Sequence, residues 1–127
     1  MSKLKKKILL VDDSPVIQTL VKKIFYGIGM EVIGLKTGAK VIDTINNNDI
    51  DLVIMDIILP DHDGMDLIRQ IRKLKNSAKS QLPVICISGH YKNYKESDFE
   101  ELNVKESLIK PLDYDQLVSA VKKHIGK

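Results

Sequence analysis

Apolar residues along this chain follow two rhythms. Ile8 to Val11, Leu52 to Met55 and Val84 to Ile87 are apolar at every position, the pattern of strands buried on both faces. Val32 to Leu35 is a weaker strand, and Ser107-Leu108-Ile109 a brief one. Between these runs the apolar positions fall at helical spacing. The first set is Val16, Ile17, Leu20, Val21, Ile24, Phe25 and Ile28, opened by Ser14 as N-cap with Pro15 behind it and closed by Gly27 and Gly29. A second helix runs through Ala39, Val41, Ile42 and Ile45 to the asparagines 46–48. A third, capped by Asp63, carries Met65, Ile68, Ile71 and Leu74 inward, with Arg69, Arg72 and Lys73 on its wet side. Asn76 to Gln81 reads as a polar loop, after which Pro83 opens the next strand.

Tyr91 to Leu102 is the poorest helix, anchored only by Phe99 and Leu102, and is expected to be short and mobile. The last helix is well signalled by an Asp113/Gln116 capping box, a Leu112/Leu117 staple and an apolar face of Val118, Val121 and Ile125. Five strands alternating with about five helices predict an α/β fold, a doubly wound five-stranded parallel sheet with helices on both faces. No internal repeat interrupts the alternation.

Composition narrows the class without naming a function. At 127 residues, with 43% hydrophobic and 29% charged positions, the chain suits one globular domain over 1–127. The net charge of +3 gathers at the two ends, at Lys3, Lys5, Lys6 and Lys7 and at Lys122, Lys123 and Lys127. Without a recognition motif, that is a solvated surface and not a nucleic-acid stripe. Asp12 and Asp13 cut the first apolar run too short for a signal peptide, and no stretch is long enough to span a bilayer. The single cysteine, Cys86, lies in a buried run, so it reads as a core residue in keeping with a cytoplasmic protein.

The chemistry lies at the carboxyl ends of the strands, where ligands bind in open α/β sheets. Asp12 and Asp13 end the first strand, Asp56 the third, Ser88 the fourth, and Lys110 follows the fifth, just before Pro111. Three carboxylates brought together repel one another unless a cation intervenes. An oxygen-only donor set without His or Cys at ligand spacing selects Mg²⁺, with Mn²⁺ possible, over zinc. An ammonium and a hydroxyl beside such a site suit the oxygens of a phosphoryl group, and an aspartate is a competent phosphoryl acceptor. Asp56 is therefore the candidate nucleophile.

This order of Asp-Asp, Asp, Ser and Lys-Pro resembles the receiver domain of two-component response regulators over essentially the whole chain. The resemblance implies a flavodoxin-like receiver fold. In it Asp12, Asp13, Asp56 and the backbone carbonyl of Ile58 hold Mg²⁺, Asp56 is phosphorylated, Ser88 is the switch hydroxyl, and Lys110 binds the phosphoryl group. It also implies a cis Lys110-Pro111 bond. Leu59 replaces the commoner methionine, Gly89 an alanine that would hold the Ser88 loop more firmly, and Asn103 a glycine whose left-handed conformation asparagine can adopt.

The departure with the largest consequence is Ser107, where relatives carry a tyrosine or phenylalanine that swings inward on activation. Tyr91 or Tyr94 is the candidate to supply the missing bulk. The resemblance also implies that Ile58 and His90 flank the path of water to the acyl phosphate, the first excluding it and the second able to accept its proton. His62 and His124 read as surface residues.

The expected function is a phosphoacceptor module, not a turnover enzyme. A histidine kinase or histidine phosphotransfer protein would supply the phosphoryl group, and the charge added at Asp56 would change a surface seen by an unspecified downstream protein. The expected state is a monomer or a weak phosphorylation-dependent dimer, with no output domain in this chain and neither nucleic acid nor membrane as a partner. Two rivals stand. One is a degenerate receiver that docks partners without phosphorylation. The other is a phosphatase of the haloacid dehalogenase type built on Asp61-His62-Asp63.

Overall fold

The computed structural model describes residues 5–89 and 94–126. Five strands, β1 (Lys7–Val11), β2 (Glu31–Leu35), β3 (Leu52–Asp56), β4 (Val84–Ser88) and β5 (Glu106–Ile109), pair in parallel in the order β2-β1-β3-β4-β5. The predicted sheet is thus present. The order reverses between β1 and β3, and that switch point is where the ends of these two strands leave a crevice.

The described residues form six helices: α1 (Pro15–Gly27), α2 (Val41–Asn47), α3 (Gly64–Arg72), α4 (Ser77–Ser80), α5 (Glu96–Glu101) and α6 (Tyr114–His124). Because neighbouring strands are in register, alternate residues sort into two cores. Leu9, Val11, Val53, Met55, Val84 and Cys86 pack with α2 and α3, while Ile8, Leu10, Leu52, Ile54, Ile85 and Ile87 pack with α1 and α6. Both faces are buried, which is why the central strands show no polar alternation. Among the described residues, no helix is long and apolar enough to cross a membrane.

The caps behave as their residue types dictate. Ser14 Oγ accepts from the Ile17 amide, Asp63 Oδ1 from Met65 and Asp113 Oδ1 from Gln116. Asn103 adopts φ +54°, and the Lys110-Pro111 bond is cis. Leu112 and Leu117 pack in the same core.

Three expectations need correction. The polar stretch 76–81 contains the helical turn α4, held by Asn76 accepting from the Lys79 amide at 3.1 Å. It buries no residue, so it leaves no apolar period to detect. The face of α1 is narrower than predicted: Val16, Leu20 and Ile28 are exposed, and Gln18 is buried in the stripe with Val21 and Phe25. Finally, Arg72 does not point into solvent. Its Nε donates to the Leu102 carbonyl at 2.8 Å and its Nη1 to the carbonyls of Ser80 and Leu82 at 2.9 and 2.7 Å. It ties the end of α3 to the segments after α4 and α5. Burial lowers its pKa, yet a guanidinium this basic stays charged at neutral pH. Arg72→Ala strips the carbonyls of Leu102, Ser80, Leu82 and Asn103 of this donor and is expected to cost about 2 to 3 kcal/mol in urea unfolding. A loss below about 0.5 kcal/mol would make the clamp incidental.

The segment around α5 is short, six residues with none buried, although Phe99 and Leu102 pack against the α2/α3 core.

Candidate functional site

Asp12 follows β1 and Asp56 ends β3, adjacent strands whose carboxyl ends open at the switch point. One carboxylate oxygen from each of Asp12, Asp13 and Asp56 lies within 4.8 Å of the others. Asp12 and Asp56 are buried and Asp13 is exposed, so the cluster faces outward on one side. Local backbone geometry fixes the buried pair. The Ser14 amide donates to Asp12 Oδ1 at 2.8 Å, and the Ile58 amide to Asp56 Oδ1 at 3.1 Å.

Lys110 completes the group from the far edge of the sheet. Its amide donates to the Ser88 carbonyl at 2.9 Å, continuing the β4–β5 ladder past Ile109 and aiming the side chain inward. Its Nζ lies 2.9 Å from Asp56 Oδ2, to which it donates, and 3.0 Å from Asp12 Oδ2. The second contact is an ion pair without hydrogen-bond alignment, and Asp12 Oδ2 is left as a buried oxygen with no aligned donor. Ser88 is fully buried at the end of β4, the strand next to Asp56.

Three carboxylates face one ammonium. Burial pushes the Asp56 carboxyl above its ordinary value. The Lys110 hydrogen bond, the Ile58 amide and the Lys110 charge pull it back, and Asp12 adds repulsion. Burial works against the Lys110 charge, but the hydrogen bond to Asp56 and the charges of Asp12 and Asp56 outweigh it and raise its pKa. A compact all-oxygen donor set with surplus negative charge and a buried carboxylate oxygen that lacks an aligned hydrogen-bond donor fits a hard divalent cation of the Mg²⁺ kind.

Relatives bear directly on this arrangement. The model of the response regulator receiver domain matches residues 8–122. The chain belongs to that family. It is 27% identical to the chemotaxis protein CheY of Bacillus subtilis over 94% of this chain and 98% of that protein. It is also 27% identical to the sensor protein GacS of Pseudomonas syringae over 94% of this chain, but spans only 13% of that relative's length. Receiver domains of this kind therefore occur both nearly alone and inside much longer proteins. A similar solved structure is the receiver domain of a sensor histidine kinase from Pseudomonas aeruginosa, with a magnesium ion coordinated in its active-site cleft. It is 25% identical and superposes with a TM-score of 0.82 over 97% of this chain and 99% of that one.

The remaining predicted residues of this receiver are placed as follows. Ile58 is 62% exposed beside Asp56. Ser107 is exposed on β5, at an open cavity of about 360 Å³ whose other walls include Phe99, Val104, Glu96 and Glu100. Tyr94 does not line that cavity: its hydroxyl donates to Asp63 Oδ2, and its ring lies 6.3 Å from that of Phe99. Burial and the Asp63 bond push the Tyr94 hydroxyl up to about 12. His90 and Tyr91 fall outside the described residues.

Asp61-His62-Asp63 is occupied with holding loops. Asp61 Oδ1 accepts from the Gly38 amide at 2.8 Å, and Oδ2 lies 2.9 Å from His62 Nδ1. The Gly38 amide is the chief reason that the Asp61 carboxyl sits below its usual range. Asp63 caps α3, and among the described residues neither aspartate joins the metal-type cluster. His124, read as a surface residue, is instead half-buried against Glu106 at 2.8 Å and links α6 to β5.

Two supporting residues escaped the sequence reading. Gln18 Nε2 donates to the Asp12 carbonyl at 3.0 Å and the Leu35 carbonyl at 3.1 Å, pinning the ends of β1 and β2 beneath the site. Its position four residues after the Ser14 cap, on the stripe with Val21 and Phe25, was the available signal. Gly64 sits so close to β3 that a Cβ there would lie 2.3 Å from the Asp56 carbonyl oxygen. In the sequence, a glycine directly after the Asp63 cap signals only a turn.

Proposed function

We propose that this receiver is a cytoplasmic phosphoacceptor that takes a phosphoryl group onto Asp56 from the phosphohistidine of a histidine kinase or phosphotransfer protein. The observation that carries the reading is Lys110 Nζ held between Asp56 and Asp12, at 2.9 and 3.0 Å, inside a three-carboxylate group. A carboxylate oxygen of Asp56 attacks phosphorus, and the phosphorus–nitrogen bond of the donor breaks. The departing imidazole keeps the electron pair and takes up a proton, leaving an aspartyl phosphate.

Asp12, Asp13, Asp56 and the Ile58 carbonyl would hold Mg²⁺, which when bound offsets charge on the phosphoryl oxygens. Lys110 passes from the Asp56 carboxylate to a phosphoryl oxygen, and the Ser88 hydroxyl donates to another. Bulk at the exposed Ile58 limits water on the same approach. The protein thus catalyses only its own phosphorylation and dephosphorylation. The added charge of about −1.5 to −2 draws Ser88 and the following segment toward the site and alters a partner surface.

The test is intact mass after incubation with acetyl phosphate. One phosphate should add to the wild type only when Mg²⁺ is present, and none to Asp56→Asn. Lys110→Ala should slow uptake by about 100-fold or more, the usual scale for losing one preorganised charged donor. An absent adduct, together with partner binding that Asp56→Asn leaves unchanged, would favour a phosphorylation-independent docking module.

A further inference from the structure

We propose that the free edge of β2 is a docking site for an acidic, extended peptide segment of a partner protein. Among the described residues, β2 is an outer strand of the sheet, with β1 on one side only. The Glu31 amide bonds to the Lys6 carbonyl, and the Leu35 carbonyl receives the Asp12 amide. In a parallel ladder a residue sends its N–H and C=O to the same side, so the odd-numbered residues of β2 serve β1. Val32 and Gly34 therefore direct their main-chain groups outward, away from the sheet.

An open cavity of about 510 Å³ lies along this edge. It touches both Val32 and Ile33, which pack into opposite cores, so it follows the strand's rim instead of covering one face. Tyr26, 74% exposed, walls it on the α1 side. Lys22 and Lys23 of α1 and Lys7 of β1 surround it, and Lys5 Nζ stands 5.6 Å from the Tyr26 ring centre. Glu31 is the acidic group on the rim, and its contact with Lys7 is a loose 3.9 Å. The edge thus combines unpaired strand groups, an aromatic wall and net positive charge.

Those features select the occupant. Lysines along an edge oppose pairing with a second copy of the same edge, since like charges would meet. They favour a strand bearing carboxylates, with main-chain bonds to Val32 and Gly34 supplying affinity and alternate apolar side chains resting on Tyr26 and Ile33. The strand starts Lys7 and Glu31 pair at the end of the sheet opposite Asp12 and Asp56, so docking here leaves the phosphoacceptor site open.

The probe is a short fluorescein-labelled peptide of alternating glutamate and valine, titrated by anisotropy at low salt, with a lysine-valine peptide as control. The acidic peptide should bind and the basic one should not. Lys22→Glu combined with Lys23→Glu should weaken binding about tenfold or more, as the loss of exposed ion pairs and the gain of repulsion allow. Val32→Pro removes an outward N–H at an edge position that tolerates proline and should also abolish binding. Should that variant unfold, amide exchange on the wild type decides: Val32 and Gly34 should slow about tenfold or more when the peptide is bound. The proposal is overturned by no binding, by equal binding of the basic peptide, by binding without protection of those two amides, or by tighter binding of a single-stranded oligonucleotide.

Discussion

Gly64→Ala should unfold this protein at a markedly lower temperature, although alanine is the better helix former. The added Cβ would lie 2.3 Å from the Asp56 carbonyl oxygen and 2.7 Å from the Ile57 Cα. Both are backbone atoms at the end of a central strand, and the Gly64 amide already donates to the Ile57 carbonyl at 2.6 Å. No rotamer change relieves such a clash, so α3 must lift from the sheet or the end of β3 must shift. The gain in helix propensity, at most about 1 kcal/mol and smaller in the first turn, does not offset overpacking against fixed backbone. We expect a net loss of about 2 to 4 kcal/mol, or roughly 8 to 15 °C in Tm for a domain of this size. Because the displaced atoms carry Asp56, acetyl phosphate uptake at a temperature where the variant is folded should fall as well. A thermal melt within about 1 °C of the wild type would show that the helix moves aside at little cost.

Gly64 also illustrates what a sequence can and cannot disclose. Strands β1, β3 and β4 are legible because burial on both faces demands an unbroken apolar run, and each stops where a polar group enters the crevice. That same stop marks Asp12, Asp56 and Ser88, and the structure brings these strand ends together with Asp13 and Lys110. Asn103 was legible through the resemblance, as a residue that can adopt the left-handed conformation of the glycine it replaces, and has φ +54°. The supporting residues are harder to see because their signal is the opposite of their role. Gln18 and Arg72 are polar side chains on helices, where solvent is the ordinary destination, yet both reach inward to carbonyls that the secondary structure leaves unpaired. α4 was invisible because a turn that buries nothing is made by one capping side chain and carries no period. Gly64 fails for a third reason: its constraint is the distance to another strand, a quantity that only the assembled sheet contains.

Asp56→Asn should make the protein more stable, not less, in metal-free buffer at neutral pH. Burial is the largest influence on the Asp56 carboxyl, and its pKa in the folded state lies above its ordinary value despite Lys110. The folded state therefore binds this proton more tightly than the unfolded chain. As pH rises from the unfolded value through the folded one, ionisation of Asp56 removes stability, and above the folded value the full cost persists. Asparagine carries no charge to desolvate and keeps an oxygen for the Ile58 amide, while Lys110 retains Asp12 at 3.0 Å. The expected gain is on the order of 1 kcal/mol, seen as about 3 to 5 °C in Tm, and it should shrink as the pH falls through the folded pKa.

Mg²⁺ should reverse the comparison. A cation bound only by the folded wild type stabilises it in proportion to RT ln(1 + [Mg²⁺]/Kd), and a variant lacking one of three carboxylates gains less. Melts of both proteins across pH, with and without Mg²⁺, separate these effects. A variant that melts below the wild type in metal-free buffer at neutral pH, or whose advantage grows on acidification, would show that the Lys110–Asp56 pair is net stabilising. The cost of burying its charge would then not be what readies this carboxylate for a metal and a phosphoryl group.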